Sequence, residues 1–386
     1  MISRILTRVL HERANSYPIV TVTGPRQSGK TTLCRATFGN LAYVSLEPLD
    51  ARDAVRSDPR GFLDEYRDGA VIDEVQHVPE LLTYLQPEVD ADPRPGRFIV
   101  TGSQHFGLLA SVSQSLAGRT AVVHLLPLGL DEVGRFDDPP DGFWETLWMG
   151  GYPRIHDRKV PANEWLADYV TTYVERDVRQ VLNIGDLVAF TQFVRLCAGR
   201  TATEVNFSSL GSDAGVSHNT ARGWLSVLET GFLCFRAPAW RSNVRKQQIK
   251  APKLHFFDSG LACSLLGITS PDQLRHHPLR GQLFESWVAS EIYKAQAHRA
   301  VSPRLFHYRD AKGLEVDVVA ETGAGLAAVE AKSGATVASD FLKPLQRFLP
   351  DAEDLRRILI VGGEETRRRG GIRVVSWRQI QSVDWV

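Results

Sequence analysis

Gly24-Pro25-Arg26-Gln27-Ser28-Gly29-Lys30-Thr31 follows the apolar run Ile19-Val20-Thr21-Val22 and leads into Thr32-Leu33-Cys34-Arg35-Ala36. The pattern is G-x-x-x-x-G-K-[ST] between a strand and a helix, the context in which this spacing cradles phosphates. Gly24 and Gly29 permit backbone angles that turn successive N–H groups inward, with Pro25, Arg26, Gln27 and Ser28 forming the arc between them. The helix opening at Thr31 and Thr32 offers its N-terminus, and so a partial positive charge, to the same phosphates. Lys30 reaches the β- and γ-phosphates as a point charge, and the Thr31 hydroxyl can ligate Mg²⁺. ATP and Mg²⁺ are the cofactors this stretch calls for.

A second motif, Ala70-Val71-Ile72-Asp73-Glu74, is an apolar strand ending in two carboxylates. Asp73 would hold the Mg²⁺ shell and Glu74 would polarise the attacking water as general base. The strand Arg97-Phe98-Ile99-Val100-Thr101-Gly102-Ser103-Gln104 ends in small polar groups, and Leu41–Leu46 supplies a further strand between the first two motifs. On these motifs the first third of the chain resembles the AAA-type branch of P-loop ATPases. The resemblance implies that Ser103 or Gln104 contacts the γ-phosphate or the water. Arg119, in Ser115-Leu116-Ala117-Gly118-Arg119-Thr120, resembles an arginine such families keep as a finger or sensor, acting in its own subunit or on a neighbour's nucleotide. A surface or sheet-capping arginine is the alternative.

At 386 residues the chain has room for two or three domains, each with its own core. Its 45 basic and 45 acidic side chains balance, so any surface for nucleic acid must be local. Cys34, Cys197, Cys234 and Cys263 lie far apart and form no C-x-x-C pair, which argues for reduced thiols rather than disulfides or zinc. Met1–Leu10 reads as an amphipathic helix with Ile2, Ile5, Leu6, Val9 and Leu10 on one face, and no run approaches a membrane span. The expected location is cytoplasmic, with no membrane partner.

Strand and helix signals alternate over residues 1–128, predicting a parallel sheet covered on both faces. Residues 129–200 read as a helical lid or linker, with a turn at Gly150-Gly151-Tyr152-Pro153 and helices over Glu164–Leu182 and Asp186–Gly199. Arg176 and Asp177 there read as a solvated face. Residues 201–262 read as a winged helix: Phe207–Ala214, a turn at Gly215-Val216, Ser217 as N-cap, and His218–Thr230 with Ala221, Trp224, Leu225 and Leu228 inward. His218, Asn219 and Arg222 would face a major groove. Arg236, Arg241, Arg245, Lys246, Lys250 and Lys253 follow without an intervening acid, a composition suited to a DNA backbone. A purely architectural winged helix, or one that docks a protein partner, is the competing reading.

In residues 263–386, a tight connection at Thr322–Gly325 makes hairpin partners sum to 647 and sets Asp317 across from Glu330. Period-two alternation puts Lys332 on the same face. Glu285, on a helix beginning near Gly281, is a further acid able to meet them. This order resembles the restriction-endonuclease-like core, and the resemblance implies Mg²⁺ at Asp317 and Glu330 with Lys332 orienting water; a surface ion-pair ladder and an inherited site that no longer cuts are the alternatives. With Lys253-Leu254-His255-Phe256-Phe257-Asp258-Ser259-Gly260-Leu261 added, nearly the whole chain resembles a set of uncharacterised prokaryotic AAA-type ATP-binding proteins with such a C-terminal domain. The expected fold is therefore a P-loop parallel-sheet α/β domain, a helical linker, a winged helix and a C-terminal α/β domain. The expected function is an ATPase whose nucleotide state controls a DNA-binding, Mg²⁺-dependent nuclease-like module. The alternative is a non-cutting ATP-dependent switch that binds DNA or a protein partner, a second copy of the chain included.

Overall fold

The computed structural model describes residues 2–103, 115–173, 186–241, 251–350 and 354–386. They form two compact units: Met1–Pro127 with Thr230–Phe232 and Ala297–Ala300, and the remaining residues from Leu128 to Val386.

In the first unit, β1 (Ile19–Gly24), β2 (Ala42–Ser45), β3 (Ala70–Asp73), β4 (Phe98–Ser103) and β5 (Thr120–His124) form a sheet of order β2-β3-β4-β1-β5. Every pairing is parallel. The three central strands are buried along their whole length, as a sheet covered on both faces requires. One apolar layer joins Ile72, Leu81, Leu85 and Val100, and another joins Leu10, Val22, Leu33 and Ile99. Strand order places β4 between the strand that feeds the phosphate loop and the strand that carries the acidic pair. Crevices beyond the carboxyl ends of such strands are where ligands bind. The N-terminal helix α1 runs Leu6–Ala14 rather than over Met1–Leu10. Its start is displaced because Arg4 is drawn into hydrogen bonds with the Ser28 and Leu126 carbonyls.

The second unit holds a mixed sheet of order β13-β14-β12-β11-β10-β9, whose strands are β9 (Leu305–Arg309), β10 (Glu315–Thr322), β11 (Gly325–Lys332), β12 (Leu355–Val361), β13 (Arg367–Arg369) and β14 (Ile372–Ser376). β9, β10 and β11 pair antiparallel, and β11, β12 and β14 parallel. Val316, Leu345, Leu359 and Val374 share its core. Upstream lie β6 (Thr203–Glu204), two helices at Phe207–Asp213 and His218–Thr230, β7 (Cys234–Ala237) and β8 (Lys253–Phe256), with β8 between β6 and β7. The second of these helices is capped by Ser217, whose hydroxyl accepts the Thr220 N–H at 3.1 Å. Ala221, Trp224, Leu225 and Leu228 are buried, while His218, Asn219 and Arg222 are exposed.

The Gly150-Gly151 turn is pinned rather than free. Asp258 is fully buried and accepts the Gly151 N–H at 2.6 Å and the Leu261 N–H at 2.8 Å. A Cβ on Gly150, where φ is +68°, would run into the Asp258 carboxylate, so glycine is required there.

Candidate active sites

The phosphate loop leaves β1 at Gly24 (φ +149°) and enters the helix Lys30–Thr37 through Gly29 (φ +93°), with Gln27 also at positive φ. A Cβ at Gly24 would collide with the Leu125 carbonyl. Lys30 is buried, and its Nζ donates to the carbonyls of Gly24 at 3.1 Å and Pro25 at 2.9 Å. Burial lowers its pKa, and Glu74 opposes that shift. The Thr31 hydroxyl donates to both Asp73 oxygens, at 2.9 and 3.1 Å. Asp73 also accepts the Tyr43 hydroxyl at 2.9 Å and the Thr101 hydroxyl. Burial and the Asp73 charge together push Tyr43 up to about 12, so its proton stays on the bond. Thr31 and Asp73 are oxygen donors within reach of one another, a set that suits Mg²⁺.

Glu74 takes a left-handed conformation (φ +58°), which swings its carboxylate off the line of β3. The Gln76 amide donates to Glu74 and, at 3.2 Å, to the Ser103 hydroxyl. One carboxamide thus bridges the expected base and the expected γ-phosphate contact. Glu47, Glu74 and His77 place ligand atoms within 4.8 Å of one another. His77 is already engaged by Glu47 at 2.7 Å, and Arg52 lies 3.6 Å from the same carboxylate.

Arg119 requires correction. The Ile19 N–H donates to its carbonyl, so it stands at the amino ends of the strands. β1 has six residues, which separates Arg119 from its own chain's phosphate loop by roughly 16 Å. Its guanidinium forks onto Asp90 at 2.6 and 2.8 Å. That is the sheet-capping alternative; an action on its own chain's nucleotide does not fit.

In the second unit, β10 and β11 pair Val318 with Val329 through Thr322 with Gly325, all summing to 647. Beyond Val318 the Asp317 carboxylate accepts the Ala331 N–H at 2.9 Å. Lys332 Nζ lies 2.8 Å from Glu330 and 3.4 Å from Asp317. The β9–β10 register shifts between Val316 and Val319, on either side of Asp317. Glu330 is buried, and burial together with Asp317 pushes its carboxyl up to about 8 despite Lys332. Burial alone would lower Lys332, but Asp317 and Glu330 outweigh it and hold the ammonium above its ordinary range. Glu285, on the helix Arg280–Ala297, joins through Lys253, whose Nζ lies 2.8 Å from Glu285 and 2.6 Å from Glu315.

Clefts of about 500 and 990 Å³ share Asp317 and Lys332 in their linings. The first also has Lys312, Lys343 and Arg347, and the second has Arg275 and Arg280. Asp310 and Asp340 line the first cleft too, and Lys343 is paired with Asp340, so that rim is mixed in charge.

The basic run after Glu229 is altered by the fold. Arg236 forks onto Glu229 at 2.6 and 2.7 Å, and Lys253 is buried among carboxylates, so neither faces a phosphate backbone. Arg241 is half-buried. Arg245, Lys246 and Lys250 lie outside the described residues, as do Gln104, Arg176 and Asp177.

Family models match three segments: an AAA domain over residues 16–134, a domain of unknown function (DUF8612) over 140–272, and a domain of unknown function (DUF4143) over 280–380. Uncharacterized proteins of Mycobacterium bovis and Mycobacterium tuberculosis are each 29% identical over 365 residues, spanning 93% of this chain and 79% of theirs. Among solved structures, the Walker-type ATPase of Pyrococcus abyssi has a TM-score of 0.47 at 15% identity, covering 67% of this chain and 94% of that one. Thermotoga maritima RuvB has a TM-score of 0.31 at 18% identity, covering 61% and 90%.

The chain carries a P-loop AAA-type ATPase domain.

Sequence reasoning missed several residues of this ATPase domain. Tyr43 and Thr101 hold Asp73, Gln76 holds Glu74, and Arg4 holds the loop itself. Arg4 had no motif to mark it, whereas Gln76 lies two residues beyond the acidic pair. The buried Arg4 fork contributes charged bonds worth about 1.5–3 kcal/mol each. Arg4→Ala should lower the melting temperature and weaken ATP binding about tenfold. Arg4→Lys cannot span both carbonyls and should restore little. Melting curves and nucleotide titration check both. An unchanged ATP affinity in folded Arg4→Ala would leave Arg4 a merely structural role.

In the second unit, Glu315 was legible in principle, since period-two alternation puts it on the Asp317 face. Lys253 was not: a lysine on an apolar run reads equally as a surface cation.

Among the described residues no helix is long and apolar enough to cross a membrane.

Proposed function

We propose that the chain is a Mg²⁺-dependent ATPase whose nucleotide state controls a metal-dependent phosphodiester-cleaving site in the second unit. In the ATPase domain, Gly24–Thr32 would wrap the phosphates, with Lys30 leaving its loop carbonyls to meet the β- and γ-oxygens. Thr31 and Asp73 would hold the Mg²⁺, which neutralises phosphate charge when bound. Glu74 would take the proton of the attacking water, with Gln76 keeping its carboxylate turned toward Ser103.

The observation that carries the second half is the convergence of Glu330 and Asp317 on Lys332, at 2.8 and 3.4 Å, where two clefts meet that are also lined by Lys312, Arg347, Arg275 and Arg280. Carboxylates suit a divalent cation, and the flanking Arg and Lys side chains suit a phosphodiester backbone passing over it. Contact between the exposed face of His218, Asn219 and Arg222 and DNA is part of the same reading. A non-cutting switch is the second reading, and it is favoured by Lys253, whose ammonium already occupies the space between Glu285 and Glu315.

Supercoiled plasmid incubated with the protein, Mg²⁺ or Mn²⁺, and ATP distinguishes them. Nicking should appear and should fall at least ~100-fold in Asp317→Ala and in Lys332→Ala, the range expected when a general acid–base or positioning group is removed. Salt-sensitive retention of DNA with no products would favour the non-cutting switch.

A further inference from the structure

Lys253 occupies a position that calls for its own explanation. Its side chain is 3% exposed and its ammonium bridges Glu285 and Glu315, carboxylates supplied by a different helix and a different strand. Burial alone would strip the proton from such a lysine, but Glu285, Asp317 and Glu315 outweigh burial and hold it charged. Two ammoniums thus divide four carboxylates between them: Lys253 lies between Glu285 and Glu315, and Lys332 lies against Glu330 and Asp317. A bridging cation in a two-metal site sits about 3.5–4 Å from its neighbour and is held by shared carboxylates. Here an ammonium already fills the space between Glu285 and Glu315.

We propose that Lys253 is a built-in cation that takes the place of a second divalent ion, so that the carboxylate cluster accepts one metal, at Asp317 and Glu330. The inference rests on the reading of Asp317 and Glu330 as metal ligands, and it goes beyond that reading by fixing the number of ions and the residue that sets it. Lys253 is on this view a positioning residue, because it acts through Glu285 and Glu315. Its removal should leave the largely buried Glu285 carboxylate facing Glu315 with no cation between them, a pair that a divalent ion can bridge, since a desolvated charge is costly without a partner.

The test counts Mn²⁺ ions bound to the full-length, nucleotide-free chain, by the electron paramagnetic resonance signal of the free ion. Asp73→Asn is used throughout to remove the ATPase-domain site. The parent should bind one ion that Asp317→Asn abolishes. Lys253→Met should bind a second, which Glu285→Gln in the same chain weakens at least ~10-fold. Mn²⁺ at about 100 times its dissociation constant should also raise the Lys253→Met melting temperature by roughly 5–10 °C more than the parent's. The same ion count and affinity in Lys253→Met and the parent overturns the proposal. If Lys253→Met fails to fold in chelator, restoration by Mn²⁺ supports the proposal and failure to restore overturns it. A parent that binds no ion while Lys253→Met binds one would sink the Asp317/Glu330 reading and leave the role of Lys253 standing.

Discussion

A Glu74→Gln chain should bind ATP as tightly as the parent and hydrolyse it ~10²–10⁴-fold more slowly, the range lost when a positioned general base is removed. Glutamine preserves the size of the side chain and can still accept the Gln76 amide through its own carbonyl oxygen. It cannot take a proton. The phosphate loop, Thr31 and Asp73 are untouched, so binding is retained. Lys30→Ala should act at the earlier step. Its two carbonyl contacts within the loop show that the ammonium reaches the mouth of the cradle, where phosphate oxygens would replace those carbonyls. Charged hydrogen bonds of about 1.5–3 kcal/mol each make the loss of two such contacts worth about 10²–10⁴ in affinity. Titration with a fluorescent ATP analogue and single-turnover phosphate release separate the two variants. Turnover in Glu74→Gln equal to the parent's would move the role of base to another group.

The loop and the acidic pair were legible because each motif fixes its own environment. A strand, two glycines and a helix N-terminus determine what Lys30 and Thr31 face, whatever the rest of the chain does. The hairpin was legible for a similar reason, since a tight turn sets register and register sets faces, and Asp317, Glu330 and Lys332 follow from counting. Arg119 was not legible in the same way. Its role depended on which end of the sheet it reached, and strand direction in three dimensions put it beside Asp90. The basic run failed for a further reason. Sequence shows the sign of a charge but not its partner, so Arg236 and Lys253 looked like free cations until Glu229, Glu285 and Glu315 were found against them. Arg4 shows the same limit, because hydrogen bonds to the carbonyls of Ser28 and Leu126 leave no trace in side-chain identity.

The raised Glu330 carboxyl makes stability depend on pH in a direction opposite to that of an ordinary salt-bridged acid. In chelator, the folded chain keeps this proton up to about pH 8, while the unfolded chain releases it near the ordinary value of 4.5. Between those values the folded state binds more protons than the unfolded one, so the contribution is full below 4.5 and is lost as pH rises through about 8. Glu285, also pushed up by burial and by Asp317, slopes the same way. Lys332 is raised instead, so its stabilising contribution is lost only at alkaline pH, outside this window. Denaturant unfolding at pH 6 and pH 8 should therefore show a less stable chain at pH 8, and Glu330→Gln should flatten most of that difference because glutamine has no proton to lose. A divalent ion held by Asp317 and Glu330 competes with the same proton. Mn²⁺ should bind more tightly and stabilise more at pH 8 than at pH 6, releasing a proton at the lower pH that calorimetry in buffers of different ionisation enthalpy can count. An Asp317→Asn chain should lose the Mn²⁺ effect and part of the slope together, since the Asp317 charge is the second cause holding the Glu330 proton in place. A slope that survived both substitutions unchanged would show that the proton resides elsewhere, and with it the charge that a metal at this site would have to replace.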